Sequence, residues 1–150
     1  MNDYISIINL VSLMFAAVDR QDWAEVHDCM TETIYVDYSS YSGQEPGDML
    51  AKDITAQWGA FMPHLDHVHH QVGNQIVEVD GNKAKVRAHG MASHVIEGLP
   101  AGNLELVVGT YDFNLAKQAD GWKISSMRFN FKFSSGNAEV STEAQRRMAR

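Results

Sequence analysis

Two histidines, His70 and His94, lie in strand patterns where apolar and polar residues alternate, and each falls on the apolar side. His70 shares its side with Val72 and Ile76, and His94 shares its side with Val86, by the two-residue period of a strand. A neutral imidazole among apolar side chains can accept a carbon-bound proton or hydrogen-bond a ligand. These two residues therefore predict acid–base chemistry or ligand binding on the inner face of a sheet.

A single β-hairpin is expected to hold both histidines. Its strands cover residues 67–79 and 83–95, and residues 80–82 read Asp-Gly-Asn. Such a turn between two alternating runs is typical of a hairpin. Both imidazoles should therefore face one side of one antiparallel sheet. The other face has polar and basic residues, among them Lys83 and His89.

The run His64, His67, His69 and His70 raises the possibility of a metal site. His67 and His69 share the polar strand face, and no nearby cysteine or carboxylate completes an inward ligand shell. We therefore expect no native metal. Because the sequence has no nucleophile elbow, glycine-rich phosphate loop or dinucleotide fingerprint, we also expect chemistry without a cofactor.

Composition restricts the classes of partner. The chain has 150 residues and a formal net charge of −7, which fits one domain and argues against nucleic acid or an anionic membrane surface as partner. Cys29 is the single cysteine, so no internal disulfide can form and a reducing environment is expected. No signal peptide or membrane span is evident near the N-terminus. These features predict a soluble, cytoplasmic protein.

Two helices are expected before the first strand. An apolar stripe at intervals of three and four residues predicts an amphipathic helix that ends near Asp19. The stripe is Ile7, Val11, Met14 and Val18, with Ile8 and Phe15 beside it. Asp22 and Glu25 have the spacing of a capping box, which opens a short second helix through about Met30.

The next segment predicts a strand over residues 33–38, with Tyr38 at its inward end, and a loop over 39–43. A third helix is expected from Met49, with Pro46 suited to a first helical turn and Pro63 as its stop.

Two further long strands are expected after the hairpin. Their inward positions are Val107, Gly109, Tyr111, Phe113 and Leu115 on the first strand and Met127, Phe129, Phe131 and Phe133 on the second. Trp122 and Ile124 have the opposite parity, which predicts a β-bulge near residues 125–126. Residues 97–103, with two glycines and a proline, are interpreted as a rim loop or lid.

The order of these elements predicts an α+β domain over residues 1–133. A strongly curved, mostly antiparallel sheet with three helices on one side would form a cone-shaped pocket. Residues 134–150 form a C-terminal tail, in which 141–150 are expected to be a short helix or disordered.

Four short motifs add a family resemblance. They are Ala17-Val18-Asp19-Arg20-Gln21-Asp22-Trp23, Val36-Asp37-Tyr38, His70-Gln71-Val72-Gly73-Asn74 and Asp120-Gly121-Trp122-Lys123-Ile124. With the order of elements, they resemble the SnoaL-like branch of the nuclear transport factor 2-like (NTF2-like) superfamily, which has a cystatin-like α+β barrel fold. Within this branch, the motifs and the order of elements over about residues 4 to 133 most resemble those of scytalone dehydratases and hexachlorocyclohexane dehydrochlorinases.

The resemblance implies roles for four residues. In those enzymes an aspartate before the second helix and a histidine after the third helix form a catalytic dyad, which corresponds here to Asp19 and His70. A tyrosine at the end of the first strand and a second histidine on the returning strand line the dehydratase site, and they correspond to Tyr38 and His94. Without the resemblance, Asp19 would more simply cap a helix or pair with Arg20.

Substrate contacts are expected from Val18, Trp58, Tyr111 and Phe129. Val18 departs from the family pattern, because the dehydratases have a tyrosine there, so the substrate is expected to be handled differently. Tyr111 falls near the position of a pocket asparagine in the dehydratases. Trp58 and Phe129 are expected as apolar walls, together with Met49 and Met62. These walls indicate an apolar ligand of the polycyclic or aromatic class.

The sequence thus predicts a cofactor-independent lyase or isomerase of the dehydratase type, acting on a small hydrophobic or polycyclic substrate. Two alternatives stay open, a non-catalytic binder of an apolar metabolite and an assembly module of the same fold. A homodimer or homotrimer is also expected through the open sheet face. That face includes His67, His69, Lys85, Arg87, Met91 and Val95.

Overall fold

The computed structural model describes residues 2–150, which contain five α-helices, one 3-10 turn and six strands. The elements in order are α1 (Asp3–Asp19), α2 (Trp23–Asp28), β1 (Met30–Asp37), α3 (Ser39–Ser42), β2 (Gly47–Leu50), α4 (Ala51–Phe61), the 3-10 turn (Met62–His64), β3 (His67–Asp80), β4 (Lys83–Val95), β5 (Leu104–Gln118), β6 (Gly121–Gly136) and α5 (Glu139–Met148). None of the helices in this part of the chain is long and apolar enough to cross a bilayer.

The six strands form one open sheet in the order β2-β1-β6-β5-β4-β3. Strands β1 and β6 pair in parallel, and the remaining neighbours pair antiparallel. Helix α1 packs on β3 and α2, and α4 packs on β1. This arrangement confirms the predicted α+β class with a mostly antiparallel sheet, and it leaves β2 and β3 as edges.

The two predicted N-terminal helices are present. Ile7, Val11 and Met14 are fully buried, whereas Ile8 is 38% exposed and lies outside the buried stripe. The Asp22 side chain accepts the backbone N–H of Glu25 at 3.1 Å, as expected of the residue that caps α2.

The segment before α4 corrects three expectations. Met49 lies in strand β2, opposite Ile34 of β1, so the third helix begins at Ala51 rather than at Met49. Pro46 directly precedes β2 and is not in a helical turn. Residues Ser39–Ser42, expected as loop, form one helical turn. Pairing with the edge of β1 satisfies backbone groups that a helix would otherwise have satisfied internally.

A bulge in β3 overturns the predicted inward position of Ile76. The pairing register shifts between Gly73 and Ile76, and Asn74 has a φ of 50°. One inserted residue reverses the alternation of faces beyond it. Val77 and Val79 therefore pack against the core, and Ile76 is 55% exposed.

In β6 the predicted bulge is confirmed, because the pairing register shifts where Asn114 and Leu115 face Ser126 and Ile124. Trp122, Ile124, Met127 and Phe129 are all buried as a result. A second shift, opposite Val108 and Gly109, was not predicted. This shift turns Phe133 outward to 52% exposure, and Phe131 beside it is 36% exposed. Both residues were predicted to face inward, and neither belongs to the core.

Helix α5 is held against the rest of the domain by a small apolar cluster. Val140 and Ala144 are fully buried and pack with Leu65 and Ile96. The Arg147 guanidinium donates to Asp66 Oδ1 at 2.9 Å. The C-terminal segment is therefore a packed helix rather than a disordered tail.

Replacing Val140 with aspartate should release α5, because an unpaired carboxylate would enter this cluster. We expect a loss of about 3 kcal/mol or more in the free energy of unfolding. Calorimetry and limited proteolysis near residue 137 would measure this loss. Thr142→Asp, at a partly exposed position of the same helix, is the control; equal effects of the two substitutions would contradict the packing role of Val140.

Candidate active site

The sheet and helices enclose a cavity of about 480 Å³. Helices α1 and α4 form one side, and the inner face of β3 to β6 forms the other. The lining residues are Phe15, Val18, Val36, Tyr38, Tyr41, Ser42, Gln44, Glu45, Gly47, Asp48, Met49, Ile54, Gln57, Trp58, Phe61, Met62, His70, Ala92, His94, Val107, Tyr111, Phe129, Ser141 and Gln145. Eight residues were predicted from the sequence to catalyse the reaction or contact the substrate. Seven of them line the cavity, and the eighth, Asp19, does not.

Asp19 contacts His70 through both carboxylate oxygens. Oδ1 lies 2.7 Å from His70 Nδ1, and Oδ2 accepts the backbone N–H of His70 at 2.8 Å. Asp19 ends α1 and His70 lies on β3, so the contact ties the two elements together. The side chains are only 19% and 10% exposed, which limits screening of the pair by water.

The Asp19 contact also determines which nitrogen of His70 holds the proton. An ionised carboxylate can only accept hydrogen bonds, so Nδ1 must be the donor in this pair. In the neutral imidazole the lone pair is then on Nε2. Arg20, the alternative partner for Asp19 in the sequence, pairs instead with Glu25. The geometry is therefore that of an oriented base, and the catalytic role of the pair stays a prediction.

His94 is buried without a hydrogen-bond partner. It is 8% exposed, and neither Nδ1 nor Nε2 has a partner among residues 2–150. Its ring centroid lies 6.4 Å from that of His70. Burial, and next the neighbouring His70, lowers the His94 pKa to about 4, although Asp19 opposes the shift. At neutral pH this imidazole is uncharged and can both donate and accept one hydrogen bond.

Tyr38 and Tyr111 line another wall of the cavity. Tyr38 follows β1, and its Oη lies 3.6 Å from Met127 Sδ. Burial, and next the adjacent Tyr111 phenol, raises the pKa of Tyr38 well above its ordinary value. Burial also raises the pKa of Tyr111. Both hydroxyls are therefore protonated at neutral pH. In the free protein the Tyr38 hydroxyl donates to Met127 Sδ, a weak acceptor that a ligand oxygen could replace.

The remaining walls are largely apolar. Val18, Trp58 and Phe129 line the cavity as predicted, as do Met49 and Met62. No lysine or arginine is among the lining residues, and Glu45 and Asp48 lie at one side. An anionic ligand would find no countercharge there.

The metal alternative has no support in the arrangement of the histidines. His69 is 67% exposed and its Nδ1 is 3.6 Å from Asp19 Oδ2, which is beyond hydrogen-bond distance. Across the described part of the chain, no group of three or more His, Cys, Asp or Glu side chains could hold a metal ion.

The sequence did not reveal the contribution of the C-terminal helix. Ser141 and Gln145 of α5 line the cavity, whereas the lining includes no residue of the expected rim loop 97–103. Glu105 is 7% exposed and accepts the N–H and hydroxyl of Ser141, at 3.2 and 2.5 Å. Glu105 lies two residues before Val107 and therefore has the same inward parity. Extending the predicted strand pattern to residue 105 would have predicted that Glu105 faces inward.

The chain thus combines an open α+β fold with a shielded aspartate–histidine pair beside a largely apolar cavity. The chain belongs to the SnoaL-like domain family, whose sequence profile matches residues 1–128. This match confirms the resemblance noted in the sequence. No curated protein matches the chain.

Solved structures with the same fold come from several bacteria. The Kfla4162 protein of Kribbella flavida is 26% identical with a TM-score of 0.87, over 93% of this chain and 97% of that protein. A candidate scytalone dehydratase of Novosphingobium aromaticivorans is 16% identical, with a TM-score of 0.73 over 89% and 87%. The LinA-type3 hexachlorocyclohexane dehydrochlorinase of Novosphingobium barchaimii is 14% identical, with a TM-score of 0.71 over 91% and 91%. The latter two share the fold with this chain.

Proposed function

We propose that this protein is a cofactor-independent lyase or isomerase for a small, uncharged hydrophobic substrate. His70 is the general base, Asp19 orients it, and His94 and Tyr38 hydrogen-bond the substrate. The double contact between Asp19 and His70 is the observation that supports this proposal most strongly. A carboxylate placed in this way holds one tautomer and stabilises the imidazolium that forms.

The proposed reaction begins when His70 Nε2 takes a proton from a carbon next to a carbonyl group. The C–H electron pair becomes the C=C bond of an enolate, and His94 or Tyr38 donates a hydrogen bond to the oxygen that gains charge. In an elimination, a β-substituent then leaves with its bonding electrons, as hydroxide that is protonated to water or as halide. In an isomerisation, the imidazolium returns the proton to a different carbon.

Exchange of carbon-bound protons tests this proposal without knowledge of the natural substrate. The probe is 2-tetralone, a neutral bicyclic ketone, and NMR in D₂O would follow the loss of its protons next to the carbonyl. Scytalone, which appears in the name of a structural neighbour and has a hydroxyl group β to its ketone, adds a test of dehydration. Lack of acceleration for every compound would count against catalysis.

A non-catalytic binder is the second candidate function. The unpartnered His94 supports a binder as well as it supports an enzyme, because a ligand could hydrogen-bond that imidazole without reacting. The two candidates differ in the response to His70→Gln. A catalyst should lose exchange and keep its affinity for 2-tetralone. Parallel loss of affinity, with no exchange in the wild type, would favour the binder.

We further propose that a second copy of the chain binds the outer sheet face, as supported by its apolar centre. Met91, Val108 and Phe133 lie side by side across β4, β5 and β6 on that face. Phe133 is 52% exposed, and Leu104 nearby is 42% exposed. Exposed apolar clusters of this kind are typical of association surfaces.

Replacing Phe133 with lysine should convert the expected dimer or trimer into monomer, because a charge would lie at the centre of the interface. Size-exclusion chromatography with light scattering would report the mass. Ile5→Lys, at an exposed position of α1 on the opposite side of the sheet, is the control and should leave the mass unchanged. A monomeric wild type at micromolar concentration would contradict the association.

A further inference from the structure

The aromatic ring of Tyr111 lies over Gly90, a residue on the neighbouring strand. In the pairing register Tyr111 is directly opposite Ala88, and Gly90 is the next inward position along β4. A Cβ atom added at Gly90 would lie 2.7 Å from Tyr111 Cδ2 and closer still to Cε2. Cβ atoms in real structures do not approach other atoms so closely, so the ring can lie there only because residue 90 has no side chain.

The direction in which the ring leans connects Gly90 to the cavity. Beyond Gly90, the next inward positions of β4 are Ala92 and His94, and both line the cavity. The Tyr111 ring thus extends from Ala88 toward the end of β4 that contains Ala92 and His94. Tyr38 lies on the same wall of the cavity, because its ring and that of Tyr111 both contact the ring of Phe129, with centroid distances of 5.8 and 4.9 Å.

Three aromatic rings hold Tyr111 in this position. The ring centroids of Phe129, Phe15 and Phe113 lie 4.9, 5.1 and 5.4 Å from that of Tyr111. Because the ring is packed on these sides, a methyl group at residue 90 could only push it away from the sheet and into the cavity.

We propose that the Tyr38 and Tyr111 hydroxyls together bind an uncharged oxygen of the ligand, and that Gly90 is the positioning residue that makes this pair possible. The oxygen is a carbonyl or hydroxyl, because the pair offers donors and no fixed charge. This inference rests on the proposed function, in which that oxygen is the carbonyl that gains charge. Tyr111, expected from the sequence as a wall, thereby becomes a specificity residue.

Two probes that differ by one oxygen test the site. Tetralin has the bicyclic skeleton of 2-tetralone without the carbonyl, and NMR titration would give both dissociation constants. In the wild type we expect 2-tetralone to bind more tightly by about 3- to 10-fold, the range for a net gain of one neutral hydrogen bond. Tyr111→Phe should bring the ratio close to one. A ratio near one in the wild type, or failure of 2-tetralone to bind, would overturn the proposal.

Gly90→Ala should also abolish the preference for 2-tetralone, although the hydroxyl itself remains. Gly73→Ala is the matched control, because an added Cβ there meets nothing within 4 Å and the backbone is not left-handed. In a Tyr111→Leu background, Gly90→Ala should cause no further change in the ratio. An additional change there, or an unchanged ratio in folded Gly90→Ala, would overturn the positioning role.

These affinity ratios are measured without turnover. The proposed tyrosine site and the proposed reaction can therefore be contradicted independently of each other. If the wild type prefers 2-tetralone over tetralin as expected but does not accelerate proton exchange, the result would support the tyrosine site and count against the proposed reaction. Proton exchange that depends on His70, together with a wild-type ratio near one, would overturn the tyrosine site alone.

Discussion

Replacing His70 with glutamine is expected to slow proton exchange from 2-tetralone by about 100- to 10,000-fold, the usual contribution of a general base. Glutamine preserves the size and polarity of the position but cannot accept a proton from carbon at neutral pH. Affinity for 2-tetralone should change little, since the base acts in the transition state. NMR in D₂O measures the exchange rate, and titration measures the affinity.

Asp19→Asn should cause a loss of similar size by a different route. The asparagine amide can donate to His70 Nδ1, which moves the imidazole proton to Nε2 and removes the lone pair from the cavity. The contact from the His70 backbone N–H to residue 19 can persist through the amide oxygen, so the fold should survive. Circular dichroism would verify that survival.

His67→Gln is the matched control for both variants. His67 lies on the outer face of β3, is 67% exposed and pairs with Glu97 rather than with Asp19. The exchange rate of His67→Gln should match that of the wild type. A wild-type rate in Asp19→Asn would contradict the orienting role, and equal losses in His67→Gln and His70→Gln would indicate a general effect on β3.

The pairing of Asp19 with His70 could be anticipated only in part from the sequence. The period of two placed His70 and His94 on the inner face, because that part of the hairpin is regular. The partner of His70 is 51 residues away, and local patterns carry no information about such a distance. The family resemblance supplied Asp19, and the structure supplies the 2.7 Å contact.

Predictions failed where the backbone departs from regular geometry. The bulge near Asn74 reversed the faces of β3, and Ile76 was assigned to the wrong side. The Gly73-Asn74 pair was a usable signal, because asparagine tolerates the left-handed conformation that the bulge requires. Strand β2 gave no comparable signal: four residues are too few for a period, and their structure comes from pairing with β1.

His94→Leu is expected to make the ligand-free protein more stable while weakening ligand binding. The substitution removes two buried nitrogens that have no partner, and each unsatisfied polar group costs about 1–3 kcal/mol. We therefore expect the free energy of unfolding at pH 7 to rise by about 2 kcal/mol or more, the lower end of the cost of two such groups. Affinity for 2-tetralone should fall, because the imidazole is available to hydrogen-bond the ligand. Denaturant unfolding and NMR titration measure the two effects.

The stability difference should depend on pH in a direction that the His94 pKa determines. Burial lowers this pKa from 6.5 to about 4 in the folded protein, so between those values the unfolded chain binds more protons. The wild type therefore loses stability from this group as pH falls from about 6.5 to 4, by up to about 3 kcal/mol. His94→Leu lacks this loss, and its advantage should grow as pH falls from 7 to 5.

A substitution on the opposite face of β4 separates this effect from a general change in charge. His89→Leu also removes one imidazole, but its side chain is exposed, so its stability should stay within about 0.5 kcal/mol of the wild type at each pH. If His94→Leu were less stable than the wild type at pH 7, the imidazole would have to be satisfied in the free protein. A stabilised variant with weakened binding would instead identify His94 as a residue kept for its ligand at the expense of the fold.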